Sequence, residues 1–140
     1  MKVLFDSNVI IDALSERDDA NKYSSILFLE AVDSRIIQGY LLSKQITDIY
    51  YVLRKYKLDE EIRKDFVNLL LKTFKVIDTK PDDLLKSLFI SGTDYEDDII
   101  MYAALNSKVD CIVTNDIKDF KNSKVKVLTP EELVNKLDLV

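Results

Sequence analysis

The sequence predicts a three-layer α/β/α sandwich in which helices cover both faces of a mainly parallel sheet. Strand and helix patterns alternate along nearly the whole chain, which is typical of parallel strands joined by helices. Two strand candidates, Val3-Leu4-Phe5 and Cys111-Ile112-Val113, are continuous apolar runs, as expected of strands buried on both faces. The length of 140 residues suits one domain, and we assign residues 1–140 to it.

Five strands are predicted, each by an apolar stretch bounded by turn or charged residues. They cover residues 2–6, 36–42, 74–78, 110–115 and 126–128. The first strand of such a sheet usually lies at its centre, so its carboxyl end should lie where the strand order reverses. Residues that follow the first and fourth strands are therefore candidates for a functional site at that edge.

Seven helices are predicted, several of them by residues that cap helix ends. They cover residues 7–14, 19–34, 43–56, 59–72, 81–89, 96–107 and 130–137. Ser43 and Asp59 are predicted to cap the third and fourth helices, and Thr129-Pro130 predicts a capping box at the last one. The third and fourth helices have no strand between them, which predicts a helical hairpin inserted into the alternation.

The composition excludes several classes of protein. The chain has no histidine, which rules out Ser-His-Asp and Cys-His catalysis and zinc held by histidine. Its two glycines, Gly39 and Gly92, are too far apart for a phosphate-binding loop or a dinucleotide fingerprint. The one cysteine, Cys111, excludes a disulfide framework and is expected to be a small buried hydrophobe. No apolar run predicts a signal peptide or a membrane span, so we expect a cytoplasmic protein with no membrane partner.

The net charge of −5 argues against binding nucleic acid over a broad surface. Positive charge is nevertheless present at Lys44, one helical turn before Asp48, and in a lysine-rich stretch that begins at Lys118. Because lysines around an acidic centre suit a phosphodiester, Lys44 and Lys118 are candidate substrate-binding residues. The alternative, which applies above all to Lys121 and Lys124, is that these are solvated residues of a surface loop.

Four aspartates fall where the predicted fold would gather them. They are Asp6 after the first strand, Asp48 in the third helix, Asp97 at the start of the sixth helix, and Asp116 after the fourth strand. Each has an ordinary alternative role, as a helix cap, a solvated residue, a partner of the helix dipole or a turn residue. Carboxylates gathered at one sheet edge repel one another unless a cation neutralises them. We therefore interpret the four as a divalent metal site for phosphate-ester cleavage.

Four motifs occur in a fixed order along the chain. They are Asp6-Ser-Asn, Asp48 within Thr-Asp-Ile-Tyr-Tyr-Val-Leu, Asp-Tyr-Glu-Asp-Asp before Ala103-Ala104, and Thr-Asn-Asp with Asp119-Phe120. This ordered set resembles the PIN domain, and it is most similar to the small stand-alone PIN domains of VapC-type toxins, from residue 1 to about residue 128. The resemblance implies a metal-dependent ribonuclease on an α/β/α sandwich.

The resemblance also implies a role for each acid. Asp6, Asp97 and Asp116 would bind the metal, and Asp48, at a position that is commonly glutamate in the family, would bind it or position the attacking water. Asp98 is the alternative to Asp97 as the ligand. The residues expected to support this set are Asn8, Thr114, Asp98 and Asp119. Oxygen ligands favour Mg²⁺ or Mn²⁺ over zinc.

The resulting interpretation is a Mg²⁺- or Mn²⁺-dependent endoribonuclease that acts on RNA. Two alternatives stay open: a metal-dependent phosphatase or phosphoacceptor domain, and a non-catalytic PIN-like module that binds RNA or protein. The predicted hairpin carries the aromatic residues Tyr50, Tyr51, Tyr56 and Phe66. Aromatic side chains often anchor interfaces, so we expect a partner surface there, unless these residues pack inside the hairpin. The resemblance implies a protein antitoxin as the partner, and a homodimer.

Overall fold

The sheet has five parallel strands, with the first strand at its centre. The computed structural model of the protein describes residues 1–15, 22–90 and 94–139. The strands in these ranges are β1 (Lys2–Phe5), β2 (Gln38–Leu42), β3 (Lys75–Ile77), β4 (Cys111–Val113) and β5 (Lys126–Leu128). Their order across the sheet is β3-β2-β1-β4-β5, and every neighbouring pair is parallel. The predicted parallel sheet with a central first strand is therefore confirmed.

Seven α-helices lie in the described ranges, in the predicted order along the chain. They are α1 (Ser7–Leu14), α2 (Lys22–Asp33), α3 (Ser43–Lys55), α4 (Glu60–Thr73), α5 (Pro81–Ser87), α6 (Tyr95–Asn106) and α7 (Pro130–Lys136). A short 3₁₀ turn, Ile117–Phe120, follows β4. The predicted start of the second helix, at residue 19, lies outside the described residues. None of the helices described is long and apolar enough to cross a bilayer.

Each face of the sheet has its own core, because alternate strand residues point to opposite sides. Val3, Phe5 and Cys111 point to the face that α1, α2, α3, α4 and α7 cover. Leu4 and Ile112 point to the other face, where α6 packs and where α5 in turn packs against α6. All five strand residues are fully buried. These two cores make the predicted three-layer sandwich, with Cys111 as the expected buried hydrophobe.

The helical hairpin α3–α4 lies between β2 and β3 in the chain, as predicted. Its inward residues Ile49, Leu53 and Leu70 are buried in the first core. Phe74, which follows α4, packs edge-to-face on Phe5 with 5.3 Å between ring centroids. A Cβ atom on Gly39 would lie 2.5 Å from carbons of the Phe74 ring. Glycine is therefore required in β2 for the ring that anchors the end of the hairpin.

Two predicted helix caps differ from the structure. The prediction that Ser43 caps α3 is wrong, because α3 begins at Ser43 itself and the N–H of Leu42 donates to Gln45 Oε1 at 2.8 Å. Asp59 directly precedes α4, but its side chain makes no capping hydrogen bond. The capping box predicted for the last helix is confirmed at α7, where both of its hydrogen bonds form.

Candidate active site

Asp6 lies at the carboxyl edge of the sheet, directly after the central strand. Its N–H donates to the carbonyl of Val113 at 2.9 Å, which ties it to the end of β4. Its carboxylate accepts a hydrogen bond of 2.7 Å from the Thr114 hydroxyl, although the residue stands at the N-cap position of α1. Burial raises the pKa of Asp6, and the Thr114 hydrogen bond opposes that rise. Asp6 is thus a largely enclosed carboxylate at the point where the strand order reverses.

Thr114 connects Asp6 with the segment that follows β4. The Thr114 side chain is fully buried, and its oxygen accepts a hydrogen bond from the N–H of Asp116 at 3.0 Å and from Asn8 Nδ2 at 3.5 Å. The N–H of Asn115 donates to Asn8 Oδ1 at 3.3 Å. The predicted supporting residues Asn8 and Thr114 therefore do link the two segments that carry Asp6 and Asp116.

Asp97, in the first turn of α6, lines the same cavity as Asp6. Its pKa is raised from 3.8 to about 7, first by partial burial and then by repulsion from other carboxylates. Those carboxylates are Asp6, Asp94, Asp119 and Glu96. Asp98, the alternative ligand, is 1% exposed and is not among the residues that line the cavity. Of the two neighbouring acids, Asp97 is the one that reaches the space beside Asp6.

Residues of α3 line the same cavity as Asp6. Lys44 makes an ion pair with Asp48 on the same helix, at 3.3 Å, and a second one with Glu96 on α6, at 3.0 Å. Lys44, Asp48 and Glu96 all line the cavity. The predicted substrate-binding Lys44 is therefore already paired with two carboxylates.

Gln45 fixes the position of α3 relative to β1. Its side chain is buried, and its amide nitrogen donates to the carbonyl of Phe5 at 2.8 Å and to Ser7 Oγ at 3.1 Å. Its amide oxygen accepts from the N–H of Leu42. Because these bonds join the end of β1, the end of β2 and the start of α3, they set the distance between Asp6 and the residues of α3.

The cavity has a volume of about 370 Å³ and is lined by both charged and apolar residues. Its charged residues are Asp6, Lys44, Asp48, Glu96 and Asp97, and its apolar residues are Ile11, Leu42, Val52, Ile99 and Ile100, with Tyr51 at α3. Asp116, Lys118 and Asp119 belong to the segment beside the cavity and do not line it. Three of the four predicted catalytic aspartates thus share one cavity, and the fourth is joined to it through Thr114.

A second acidic pair lies in the 3₁₀ turn beside the cavity. The carboxyl groups of Asp116 and Asp119 hydrogen-bond to each other, which raises the pKa of Asp119. Asp119 also raises the pKa values of Asp6 and Asp97 by electrostatic repulsion. Lys118, in the same turn, is exposed. Negative charge therefore continues from the cavity into this turn.

The donor chemistry of these residues fits a hard divalent cation. In the described ranges, no three histidine, cysteine, aspartate or glutamate side chains are already arranged to hold a metal ion. The side chains that converge on the cavity edge are nevertheless carboxylates, whose oxygens are the ligands that Mg²⁺ and Mn²⁺ prefer. Burial is the first cause of the raised pKa of Asp97 and repulsion from neighbouring carboxylates the second, and a bound cation would relieve that repulsion.

Comparison with known proteins decides the family. The family model described as PIN domain matches residues 2–118 of the chain. The chain belongs to the PIN domain family. Ribonuclease VapC1 of Aquifex aeolicus (strain VF5) is 30% identical over 141 aligned positions, which cover 94% of this chain and 92% of that protein. The resemblance found in the motifs is thereby confirmed.

Solved structures share the fold of this PIN domain. A toxin-antitoxin complex from Klebsiella pneumoniae contains a chain that matches with a TM-score of 0.67 and 22% identity, covering 91% of this chain and 97% of that one. The crystal structure of PAE2754 from Pyrobaculum aerophilum matches with a TM-score of 0.68 and 19% identity, covering 100% of this chain and 91% of that one. At these identities the likeness concerns the arrangement of helices and strands.

Two further acids, Asp94 and Glu96, lie at the site in this protein, and the predicted set of site residues did not include them. Asp94 caps α6 by accepting a hydrogen bond from the N–H of Glu96 at 2.8 Å, and it raises the pKa of Asp97. Glu96 lines the cavity and pairs with Lys44. The signal for both was the excess of acids at the start of α6, which exceeds what capping requires.

Proposed function

We propose that this PIN-domain protein is a divalent-metal-dependent endoribonuclease that hydrolyses RNA phosphodiester bonds. The observation that carries the proposal is the cavity at the carboxyl edge, where Asp6 and Asp97 face one space and the pKa of Asp97 is raised to about 7. Carboxylates crowded into a concave site are typical of functional rather than structural positions. The 30% identity to Ribonuclease VapC1 supports RNA as the substrate class.

The four predicted catalytic aspartates receive distinct roles in this proposal. Asp6, Asp97 and Asp116 would hold Mg²⁺ or Mn²⁺ through their carboxylate oxygens, and Thr114 would keep Asp6 in place through its 2.7 Å hydrogen bond. When bound, the cation would lower the pKa of the attacking water and stabilise negative charge on the phosphate. Asp48 would orient the attacking water from the α3 side of the cavity.

The remaining predicted site residues would act around this set. Asn8 would fix the segment after β4 through its hydrogen bonds to Thr114 and Asn115. Asp98 would stabilise the start of α6 from its buried position, and Asp119 would add negative charge beside Asp116. Outside the cavity, the exposed Lys118 would contact the RNA backbone.

Cleavage of single-stranded RNA tests the proposal directly. The purified protein is incubated with an end-labelled RNA oligonucleotide in Mg²⁺, Mn²⁺ or EDTA, and in parallel with a generic phosphatase substrate. We expect endonucleolytic products only with the metals, and no phosphatase activity. A phosphatase would release phosphate from the second substrate, and a non-catalytic module would bind the RNA without cutting it.

Substitutions assign the activity to the site. Asp6→Asn and Asp116→Asn should each lower the cleavage rate at least about 100-fold, because each removes a carboxylate that would hold the metal ion at the reaction centre. Asp65→Asn, on the exposed surface of α4, is the matched control and should cleave at the wild-type rate. Circular dichroism verifies the fold of each variant. Wild-type turnover in either site variant would remove that residue from the site.

We further propose that the chain is the toxin of a toxin–antitoxin pair and that its antitoxin docks on the α3–α4 hairpin. Tyr51 and Tyr56 support this surface, since they are 62% and 46% exposed. Leu58, in the connection between the helices, and Ile62, on α4, are exposed apolar residues of the same hairpin. Exposed aromatic and aliphatic side chains are the usual anchors of a protein partner.

Two of the four predicted hairpin aromatics pack within the protein instead. Phe66 packs against the first core, with its ring 5.9 Å from that of Phe28. Tyr50 lies on the hairpin under the guanidinium of Arg63, 5.0 Å from the ring centroid. The proposed antitoxin surface therefore excludes Phe66 and Tyr50.

A homodimer would use a different face of the protein. Leu84, Leu85, Leu88 and Phe89, in and directly after α5, are exposed, Phe89 by 81%. This apolar patch lies on the side of the sheet opposite the hairpin, since α5 packs against α6. A second copy of the chain is the partner we propose for it, which would leave the hairpin open to an antitoxin. Such a toxin would act in the cytoplasm, where its RNA substrate is found.

A further inference from the structure

Lys44 lies between two carboxylates that belong to different helices. Its ammonium lies 3.3 Å from Asp48 Oδ2 on α3 and 3.0 Å from Glu96 Oε1 on α6. Partial burial acts to lower the pKa of Lys44, but the hydrogen bonds and charges of Glu96 and Asp48 outweigh it, and the pKa lies above its usual value. Lys44 therefore carries a full positive charge in the cavity at neutral pH.

This lysine divides the cavity into two electrostatically different halves. On the α3 side, the Lys44 ammonium forms ion pairs with the carboxylates of both Asp48 and Glu96. On the β1 side, no lysine or arginine within residues 1–15, 22–90 and 94–139 forms an ion pair with Asp6 or Asp97. An added cation would therefore neutralise charge at Asp6 and Asp97, whereas Asp48 and Glu96 are already paired with Lys44.

A second divalent ion bound by Asp48 and Glu96 would have to displace Lys44. In two-metal phosphodiester sites the ions lie about 3.5–4 Å apart and clamp the attacking and the leaving oxygens. The carboxylates available to a second ion on the α3 side are those of Asp48 and Glu96, and both point an oxygen at the Lys44 ammonium. Like charges at such short distances repel strongly in a partly enclosed site.

We propose that Lys44 is a resident cation that takes the place of a second divalent ion, so that this site binds one Mg²⁺ or Mn²⁺, on the side of Asp6 and Asp97. This inference rests on the proposed function, and it deepens it by fixing the number of metal ions and the role of Lys44. In this arrangement the Lys44 ammonium faces the phosphodiester and contributes the positive charge that a second ion supplies elsewhere.

The number of Mn²⁺ ions bound per chain tests the inference without reference to activity. Isothermal titration calorimetry with MnCl₂ is performed on the wild type, Lys44→Met and Lys44→Arg. We expect one ion per chain in the wild type and in Lys44→Arg, which keeps the charge. In Lys44→Met we expect two, because Asp48 and Glu96 are then free to bind the second. Two ions in the wild type, or one in Lys44→Met, would overturn the proposal.

Two further variants guard against indirect effects. Lys44→Gln removes the charge but keeps a polar side chain, and it should also bind two ions. Lys72→Met removes an exposed charge from α4, a helix that does not line the cavity, and should bind one. A protein that binds these numbers of ions but cleaves no RNA would refute the proposed function and leave the inference intact. A wild-type protein that cleaves RNA but binds two ions would support the proposed function and refute the inference about Lys44.

Discussion

Replacing Asp97 by asparagine should change how the stability of the metal-free protein depends on pH. The pKa of Asp97 is raised from 3.8 to about 7 in the folded protein, whereas in the unfolded chain it returns to its ordinary value. Between these two values the folded state holds a proton that the unfolded state has lost. The free energy of unfolding therefore falls as the pH rises from about 4 to about 7, and the loss is complete above that range.

The size of this loss follows from the shift of the pKa. At about 1.4 kcal/mol per pKa unit, the full shift would correspond to about 4 kcal/mol. Asp97 is only half-buried, and solvent screening reduces the interaction to about 1–2 kcal/mol. Asparagine has nearly the same shape and no charge, so Asp97→Asn should be more stable than the wild type by that amount at pH 8. At pH 3, below the ordinary pKa of an aspartate, Asp97 is protonated in both the folded and the unfolded state, so the two proteins should differ little.

Urea unfolding followed by circular dichroism, with EDTA present, measures the difference at both pH values. Asp65→Asn is the matched control, since it removes an aspartate from the exposed face of α4 and should show no pH-dependent gain. If the Asp97→Asn protein gains the same stability at pH 3 as at pH 8, or gains none at pH 8, the pKa of Asp97 is not raised in the folded protein.

Three further predictions concern the metal and the partners. Saturating Mn²⁺ should raise the free energy of unfolding by about 2.7 kcal/mol at 100 times its Kd, as measured by thermal melting, and an equal gain in the Asp6→Asn, Asp97→Asn double variant would place the ion elsewhere. Tyr51→Ala and Tyr56→Ala should each weaken binding of the antitoxin encoded by a neighbouring reading frame by about 2 kcal/mol in calorimetry, while changing the stability by less than about 0.5 kcal/mol; the opposite ranking would assign both residues to the core. Sedimentation velocity should show a dimer that Leu88→Glu converts to a monomer, and an unchanged sedimentation coefficient would exclude the α5 patch as the interface.

The strands and helices could be predicted because their signals are local. The apolar run before Asp6 and the acid-rich start of α6 determine the structure of the residues next to them. Apart from the start of the second helix, which was predicted at residue 19 outside the described residues, the described elements agree with the predicted ones to within two residues at their ends. The pairing of Lys44 with Asp48 was also accessible, since four residues separate them on one helix. These features needed no knowledge of distant contacts.

The parts that could not be predicted depend on contacts between distant segments. Ser43 has the right residue type for a cap, yet the start of α3 is stabilised by Gln45, whose partners include the carbonyl of Phe5, 40 positions away in the chain. The ion pair between Lys44 and Glu96 likewise joins two helices, and although the sequence predicted that Asp48 and Asp97 on these helices meet at one sheet edge, it did not predict this pair. The sequence indicated an acidic site, but the tertiary structure decides which acids are paired.

The amide of Gln45 has a consequence for how this site tolerates change. It donates to Phe5 and accepts from Leu42 at once, which a glutamate could not do, because a carboxylate only accepts. The contact between strand and helix at Gln45 therefore carries no charge that changes with pH. The residues that Gln45 contacts and the acids of the cavity are different residues. Substitution of the acids can therefore alter or abolish the reaction while Gln45 keeps the spacing between β1, β2 and α3.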